Sequence, residues 1–326
     1  MTRTALSVKN LRVAFGKRKT QIVRGVSFDI AAGSTMVLLG ESGSGKSVTA
    51  KAIMRLHDST TSVSGDIHLG DVDLLAQKSG ELGKIRGSKL AMIPQDPAAS
   101  LDPLSRIGSQ LAETIRRHGL AKTRAEVTSL SVAQLEAVGI SDATRVLRAF
   151  PHQLSGGMQQ RILIALAVMS KPGLLIADEP TTALDVTVQA QVLALFKELV
   201  STLDAGLLLV THDVGVAREI ADTVGVMYAG RMVEYGPADE VLNNPSHPYT
   251  KALLNSLPEV GMPRGSLIPI AGQPPAAASI PTGCAFAPRC AFATEACTTD
   301  VPPTVTVGPN HTSACIFAEE LSEVAA

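Results

Sequence analysis

Apolar and polar positions alternate through the first forty residues: Leu6 and Val8, then Leu11, Val13 and Phe15, then Val26, Phe28 and Ile30. A period of two predicts antiparallel strands with one covered face. The pattern then changes. Thr35-Met36-Val37-Leu38-Leu39 is a short continuous apolar run, the mark of a strand buried on both faces, and Leu90–Ile93, Leu174–Ala177 and Gly206–Val210 repeat it. Between these runs apolar residues fall at helical spacing, from Lys46 to Leu56, over about 100–150, from Ile162 to Met169, and from Asp185 to about Leu203. Thr223 to Gly236 reads as a hairpin turning near Ala229-Gly230. Strands alternating with helices predict an α/β fold, here with an antiparallel β subdomain in front and a helical insertion inside it.

The junctions between these elements carry the candidate chemistry. Gly40-Glu41-Ser42-Gly43-Ser44-Gly45-Lys46-Ser47 lies between a predicted strand and a predicted helix and has the form G-x-x-x-x-G-K-[ST]. Its backbone N–H groups can turn inward around a polyphosphate, with Lys46 on the β- and γ-phosphates and the Ser47 hydroxyl on Mg²⁺. Gln95 follows the strand Leu90–Ile93, where ligands collect in parallel sheets. Ser155 is a natural N-cap, and Gly156 and Gly157 permit close backbone approach, so the helix they open is a ready anion site. Asp178 and Glu179 end the next strand and divide two tasks. Asp178 holds Mg²⁺ through water, and Glu179 orients and polarises the attacking water. His212, after Gly206–Val210, points to a contact with the γ-phosphate. Phe15 lies ahead of the polar turn Gly16 to Thr20, where it either stacks on an adenine or ends a strand as an ordinary core residue.

Composition narrows the surroundings. The 326 residues are 45% hydrophobic and 18% charged, which is ordinary for a globular chain of about two domains. The longest unbroken apolar run, Ile162 to Met169, falls far short of the roughly 18 residues of a spanning helix, and the amino end shows no apolar secretory core; a cytoplasmic protein is expected. The formal net charge of −1 leaves no basic stripe for nucleic acid.

All four cysteines, Cys284, Cys290, Cys297 and Cys315, lie in the last 43 residues. Such crowding in a cytosolic chain points to a metal or redox site rather than a disulfide framework. Their spacing lacks C-x-x-C pairs, and free thiols, zinc and an iron-sulfur cluster are all open on the residues alone. The stretch from Pro258 to Gly283 is rich in Pro and Gly and too small to build much core, and nothing in the sequence places the cysteines beside the nucleotide.

Taken together, the phosphate loop, Gln95, Leu154-Ser155-Gly156-Gly157-Met158-Gln159, Asp178-Glu179, Asp185 and His212 occur in an order that resembles the ATP-binding cassette (ABC) superfamily. The resemblance implies a phosphate-loop ATPase using ATP and Mg²⁺. Phe15 would stack on adenine, Lys46 and Ser47 would bind phosphate and metal, and Gln95 would sit beside the Mg²⁺ and couple the site to a partner. Ser155 and Gly157 would touch a γ-phosphate held by the opposing subunit, with Asp185 at the dimer seam. His247-Pro248-Tyr249-Thr250-Lys251-Ala252-Leu253-Leu254 and Cys284-x-Phe286-x-Pro288-Arg289-Cys290 are similar to the carboxyl-terminal region of oligopeptide and dipeptide importer ATPases. That similarity implies domains at 1–245, with a helical subdomain at about 96–165, and at 246–326, the latter holding a 4Fe-4S cluster on the four cysteines. It further implies a second cassette ATPase in a heterodimer, two transmembrane permease subunits, an extracytoplasmic substrate-binding protein, and a place on the cytoplasmic face of the membrane. Nickel or glutathione as cargo, or a soluble cassette ATPase of DNA repair or translation, are the alternatives.

Overall fold

The computed structural model describes residues 3–182, 184–256 and 269–323. The chain forms two compact units. One takes the chain up to Ala5 with Ile30–Ser34 and Ala76–Leu209; the other takes Leu6–Asp29, Thr35–Leu75 and everything from Val210 on.

Among the described residues twelve strands form: β1 (Thr4–Phe15), β2 (Thr20–Ala31), β3 (Thr35–Leu39), β4 (Ser62–Leu69), β5 (Val72–Asp73), β6 (Leu90–Ile93), β7 (Leu174–Asp178), β8 (Gly206–Val210), β9 (Thr223–Tyr228), β10 (Arg231–Pro237), β11 (Val305–Gly308) and β12 (His311–Ser313). In the unit that contains the phosphate loop, β2-β1-β4-β5 make the small sheet that the alternating pattern predicts, with β1 and β4 antiparallel from Leu6↔Leu69 to Ala14↔Ser62. Their register slips between Lys9 and Arg12, where Asn10 adopts a left-handed φ of 48°, the geometry of a bulge. The same unit orders β11-β12-β10-β9-β3. β9 and β10 form the predicted hairpin; Ala229 and Gly230 both have positive φ, which matches the right-handed twist of the strands they join. In the other unit β8, β7 and β6 lie side by side, with β6 and β7 parallel from Leu90↔Leu174 to Ile93↔Ala177. β3, β7 and β8 are buried at every position, as their unbroken apolar sequences require.

The predicted helical insertion is present as Ile107–Arg117, Arg124–Ala137 and Ala143–Arg148. Thr123 and Glu126 close a reciprocal capping box on the second of these. Three details depart from the sequence reading. The helix after the phosphate loop stops at Ile53 rather than Leu56, because Arg55 turns left-handed (φ 51°) and donates to the Leu74 and Leu75 carbonyls. The helix Val186–Leu203 is long and apolar enough to cross a membrane by length and composition alone, even though Lys197 and Glu198 interrupt its apolar runs. It buries one face, Val192, Leu193, Leu195, Phe196 and Val200, in the protein and leaves most of its other residues exposed or half-buried. Finally, the carboxyl-terminal region packs more than its composition suggests. β12 pairs with β10, and Cys315, Ala318 and Leu321 form a cluster with Val305, Val307 and Phe317. Part of the Pro- and Gly-rich stretch, residues 257–268, lies outside the described residues.

Candidate active site

The phosphate loop grows from β3, which pairs in parallel with β9 from Met36↔Thr223 to Leu39↔Val226. At its first residue a side chain has no room: a Cβ on Gly40 would stand 2.3 Å from the Met227 carbonyl oxygen, and φ is +147°. Lys46 is buried, and its Nζ donates to the carbonyls of Gly40 at 2.7 Å and Glu41 at 3.0 Å. The loop's own backbone therefore holds the ammonium where a polyphosphate would meet it already stripped of water. No side chain caps the helix Lys46–Ile53, which leaves its first-turn N–H groups to the loop interior. Ser44 and Gly45 are buried, Ser47 is half-buried, and Ser42 and Gly43 are exposed at the loop's rim.

Two residues that the sequence reading did not single out brace this loop from outside. Arg289 donates through both terminal nitrogens to the Glu41 carboxylate, at 2.7 and 3.0 Å, and also to the Tyr228 hydroxyl at 3.2 Å. The Tyr249 hydroxyl accepts from the Glu41 backbone N–H at 2.9 Å. Arg289 immediately precedes Cys290, so the cysteine segment is tied to the phosphate loop through this side chain. Its signal was in plain view within Cys284-x-Phe286-x-Pro288-Arg289-Cys290, but a contact across 248 residues leaves no local pattern.

Phe15 is half-buried at the end of β1, with His57 edge-on to its ring at 5.2 Å between centroids. His57 is itself anchored on the Val48 carbonyl at 3.1 Å. His212 is exposed just beyond β8, and the preceding Thr211 donates its N–H to the Leu38 carbonyl at 3.1 Å, which sets His212 in the same unit as the phosphate-loop strand.

Gln95, Asp178 and Glu179 belong to the other unit. The β6–β7 register pairs Ile93 with Ala177, so two residues further on Gln95 meets Glu179. Its Nε2 donates to Glu179 Oε2 at 2.9 Å, and the Thr182 hydroxyl donates to the same oxygen at 3.0 Å. Glu179 is held in the left-handed region (φ 47°), a conformation that costs a non-glycine residue on the order of 1 kcal/mol and that turns its carboxylate off the line of the strand. Asp178, the last residue of β7, is 3% exposed.

The signature glycines lie in that unit too. Ser155 caps the helix Gly156–Val168 by accepting from Met158 N–H, and Asp185 caps Val186–Leu203 by accepting from Val188 N–H at 3.0 Å. A Cβ on Gly157 would stand 2.8 Å from Val188 Cγ1. Gly157 thus lets two helix N-termini pack together, one beginning at the signature and the other at Asp185.

All four cysteines are free thiols and line one small cavity whose other walls include Phe286, Phe292, Pro302 and Phe317. Burial pushes the thiols of Cys284 and Cys290 up and that of Cys315 up to about 11, with the neighbouring cysteines adding to the effect. Among the described residues, no three His, Cys, Asp or Glu side chains converge on a position for a single metal ion.

Residues 23–182 match the family model described as ABC transporter, and residues 233–297 match that of the oligopeptide/dipeptide transporter carboxyl-terminal region. The dipeptide transport ATP-binding protein DppD of Bacillus subtilis is 47% identical over 275 residues, 83% of this chain and 82% of that one. The oligopeptide transport ATP-binding protein AppD of the same organism is 44% identical over 321 residues, 97% of this chain and 98% of that one. Among solved structures, the dimeric post-hydrolysis state of the ATP-binding cassette MJ0796 bound to ADP and Pi superposes with a TM-score of 0.64 at 27% identity, covering 72% of this chain and 98% of that one. With the phosphate loop, the Gln95–Glu179 pair and the signature helix all in the fold these relatives share, the chain belongs to the ABC transporter ATPase family, in the branch that carries the oligopeptide/dipeptide transporter carboxyl-terminal region.

Proposed function

We propose that this chain is the ATP-hydrolysing motor of an importer of di- and oligopeptides, acting from the cytoplasmic face of the membrane on two separate permease subunits that receive cargo from an extracytoplasmic binding protein. The observation that carries the reading is the fixing of one Glu179 oxygen by both Gln95 and Thr182. A carboxylate oxygen clamped by two neutral donors keeps its orientation, which is what positioning an attacking water demands. Gly40 to Ser47 cradle the phosphates, Ser47, Gln95 and Asp178 hold Mg²⁺, Phe15 stacks on the adenine, and His212 contacts the γ-phosphate. Residues 1–245 form the motor, with 96–165 as its helical subdomain, and 246–326 form a regulatory region.

One chain supplies one phosphate loop and one signature. Ser155, Gly156 and Gly157 act on nucleotide held by a second cassette subunit, in a heterodimer with Asp185 at its seam; the similarity to a dimeric cassette supports this arrangement. Alone, the chain is expected to bind ATP and turn it over slowly. In the assembly with its cassette partner and permeases, Ser155→Ala is expected to lower turnover by about tenfold or more while leaving ATP affinity of the same chain unchanged. Uptake of a labelled dipeptide by the reconstituted assembly tests the cargo. Full hydrolysis by a strictly monomeric chain, or transport that excludes peptides, would overturn the reading.

We further propose that the four cysteines hold a 4Fe-4S cluster, as the resemblance to the importer ATPases implies. What supports it is that all four line one small apolar cavity and that four thiolates are the usual ligand set of such a cluster, although among the described residues no three of these side chains are grouped as a metal site would have them. Bound there, the cluster would supply cross-linking between segments that burial alone holds weakly. Anaerobic purification is expected to yield a brown protein with about four irons and four sulfides per chain, bleached by Cys290→Ser. A colourless chain with one zinc, or with no metal, would contradict it.

A further inference from the structure

A cavity of about 260 Å³ opens within the unit of the phosphate loop, lined by Arg24 and Arg231 together with Met232, Val233, Phe286 and Pro302. Among the described residues, neither guanidinium group forms an ion pair with a carboxylate. Arg24 Nη1 and Arg231 Nε are buried with no hydrogen-bond partner among the described residues. A third guanidinium, that of Arg12, stands close by, 3.4 Å from where a Cβ on Gly25 would lie, and Gly25 also lines the cavity. Burial first, then Arg231 and Arg12, push the basicity of Arg24 down, and burial and Arg12 do the same to Arg231. The one carboxylate in the lining, Glu234, is committed elsewhere: it accepts from the backbone N–H groups of Ser246 and His247 at 2.7 and 3.1 Å and pairs with His311 at 2.8 Å.

Like charges packed together with buried, unpartnered N–H groups cost stability unless something brings them an acceptor. The rest of the lining sets the apolar Met232, Val233, Phe286 and Pro302 beside polar Ser27, Thr304 and Thr312, so a partner seated against the first group carries an apolar body as well as an anionic head. The position is also connected. Arg24 donates its backbone N–H to Gly230 O at 2.7 Å, and Gly230 donates its own to Ser44 O of the phosphate loop at 2.9 Å. Tyr228, which lines the cavity, accepts from the same Arg289 that holds Glu41.

We propose that this cavity is a regulatory site for a small organic anion, with carboxylate or phosphate oxygens between Arg24 and Arg231 and an apolar body against Met232 and Phe286, and that its occupancy changes nucleotide affinity at the phosphate loop. The test is calorimetric titration of the full chain, saturated with MgADP so that the phosphate loop is filled, with benzoate, phenyl phosphate and inorganic phosphate. One of the two aromatic anions is expected to bind about tenfold or more tightly than inorganic phosphate; which one identifies the head as carboxylate or phosphate. Arg24→Met and Arg231→Met are each expected to weaken that binding by at least about tenfold and to melt higher than the parent chain without ligand, since each removes one of the crowded charges. Arg231→Lys, which keeps the charge but loses the planar fork, is expected to fall between. Saturating anion is expected to shift ADP affinity by about threefold or more. Absence of binding by all three probes up to about 10 mM, binding that survives both Met substitutions, or an ADP affinity indifferent to the anion would each overturn the proposal.

Discussion

Glu179→Gln is expected to retain ATP while losing its hydrolysis, with turnover in the assembled transporter down by about 10² to 10⁴, equivalent to about 3 to 5 kcal/mol of transition-state stabilisation. The substitution is nearly isosteric. The new side-chain carbonyl can still accept from Gln95 and Thr182, and the left-handed backbone at position 179 is no worse for Gln than for Glu. What disappears is the negative charge that orients water and receives its proton. Lys46→Ala should do the reverse, weakening binding itself, because Lys46 is the buried cation inside the loop. Equilibrium binding and single-turnover hydrolysis on the two variants separate the effects. Near-normal turnover by Glu179→Gln would remove Glu179 from the chemistry.

Arg289→Ala carries the second large effect, though the residue lies outside every nucleotide-binding motif. Its side chain is 5% exposed and forms a two-pronged pair with Glu41, whose own side chain is 25% exposed. Glu41 holds the guanidinium firmly charged. Truncation strands the Glu41 carboxylate in a largely dry setting. Breaking a fully buried pair costs about 3–5 kcal/mol, and partial solvation of Glu41 reduces this to about 2 kcal/mol. The loss falls on the phosphate loop, because the Glu41 carbonyl is one of the two acceptors that fix Lys46. A rise of about tenfold in the ATP dissociation constant is therefore expected, together with a lower melting temperature. Arg289→Lys should rescue little, since a point charge cannot span both carboxylate oxygens. Unchanged affinity and melting in Arg289→Ala would show that the pair is an ornament of the loop.

The order of elements was legible because each rested on local chemistry. Continuous apolar runs at Thr35–Leu39, Leu174–Ala177 and Gly206–Val210 have no solvent-facing alternative and became the buried strands. Ser155 and Asp185 cap helices for reasons contained within three residues of each, and Gly230 takes the left-handed turn freely while Ala229 beside it adopts a φ of 45° at some cost. Glycines, caps and periodicity act over a single turn or strand, so a sequence displays them directly.

What the sequence by itself determined, then, is the α/β class, the phosphate loop, the acidic pair after β7 and the signature helix. Tertiary structure alone decided which side chains serve them. Gln95 reaches Glu179 through a parallel register between strands 84 residues apart, His57 supports Phe15 edge-on, and Arg289 crosses 248 residues to hold Glu41. The closeness of Arg12, Arg24 and Arg231 likewise emerges only when three separate strands are laid together. The physical reason is common to all of them: the energy of a charge or ring depends on what surrounds it in space, and side chains distant in sequence acquire shared surroundings only when the backbone has folded.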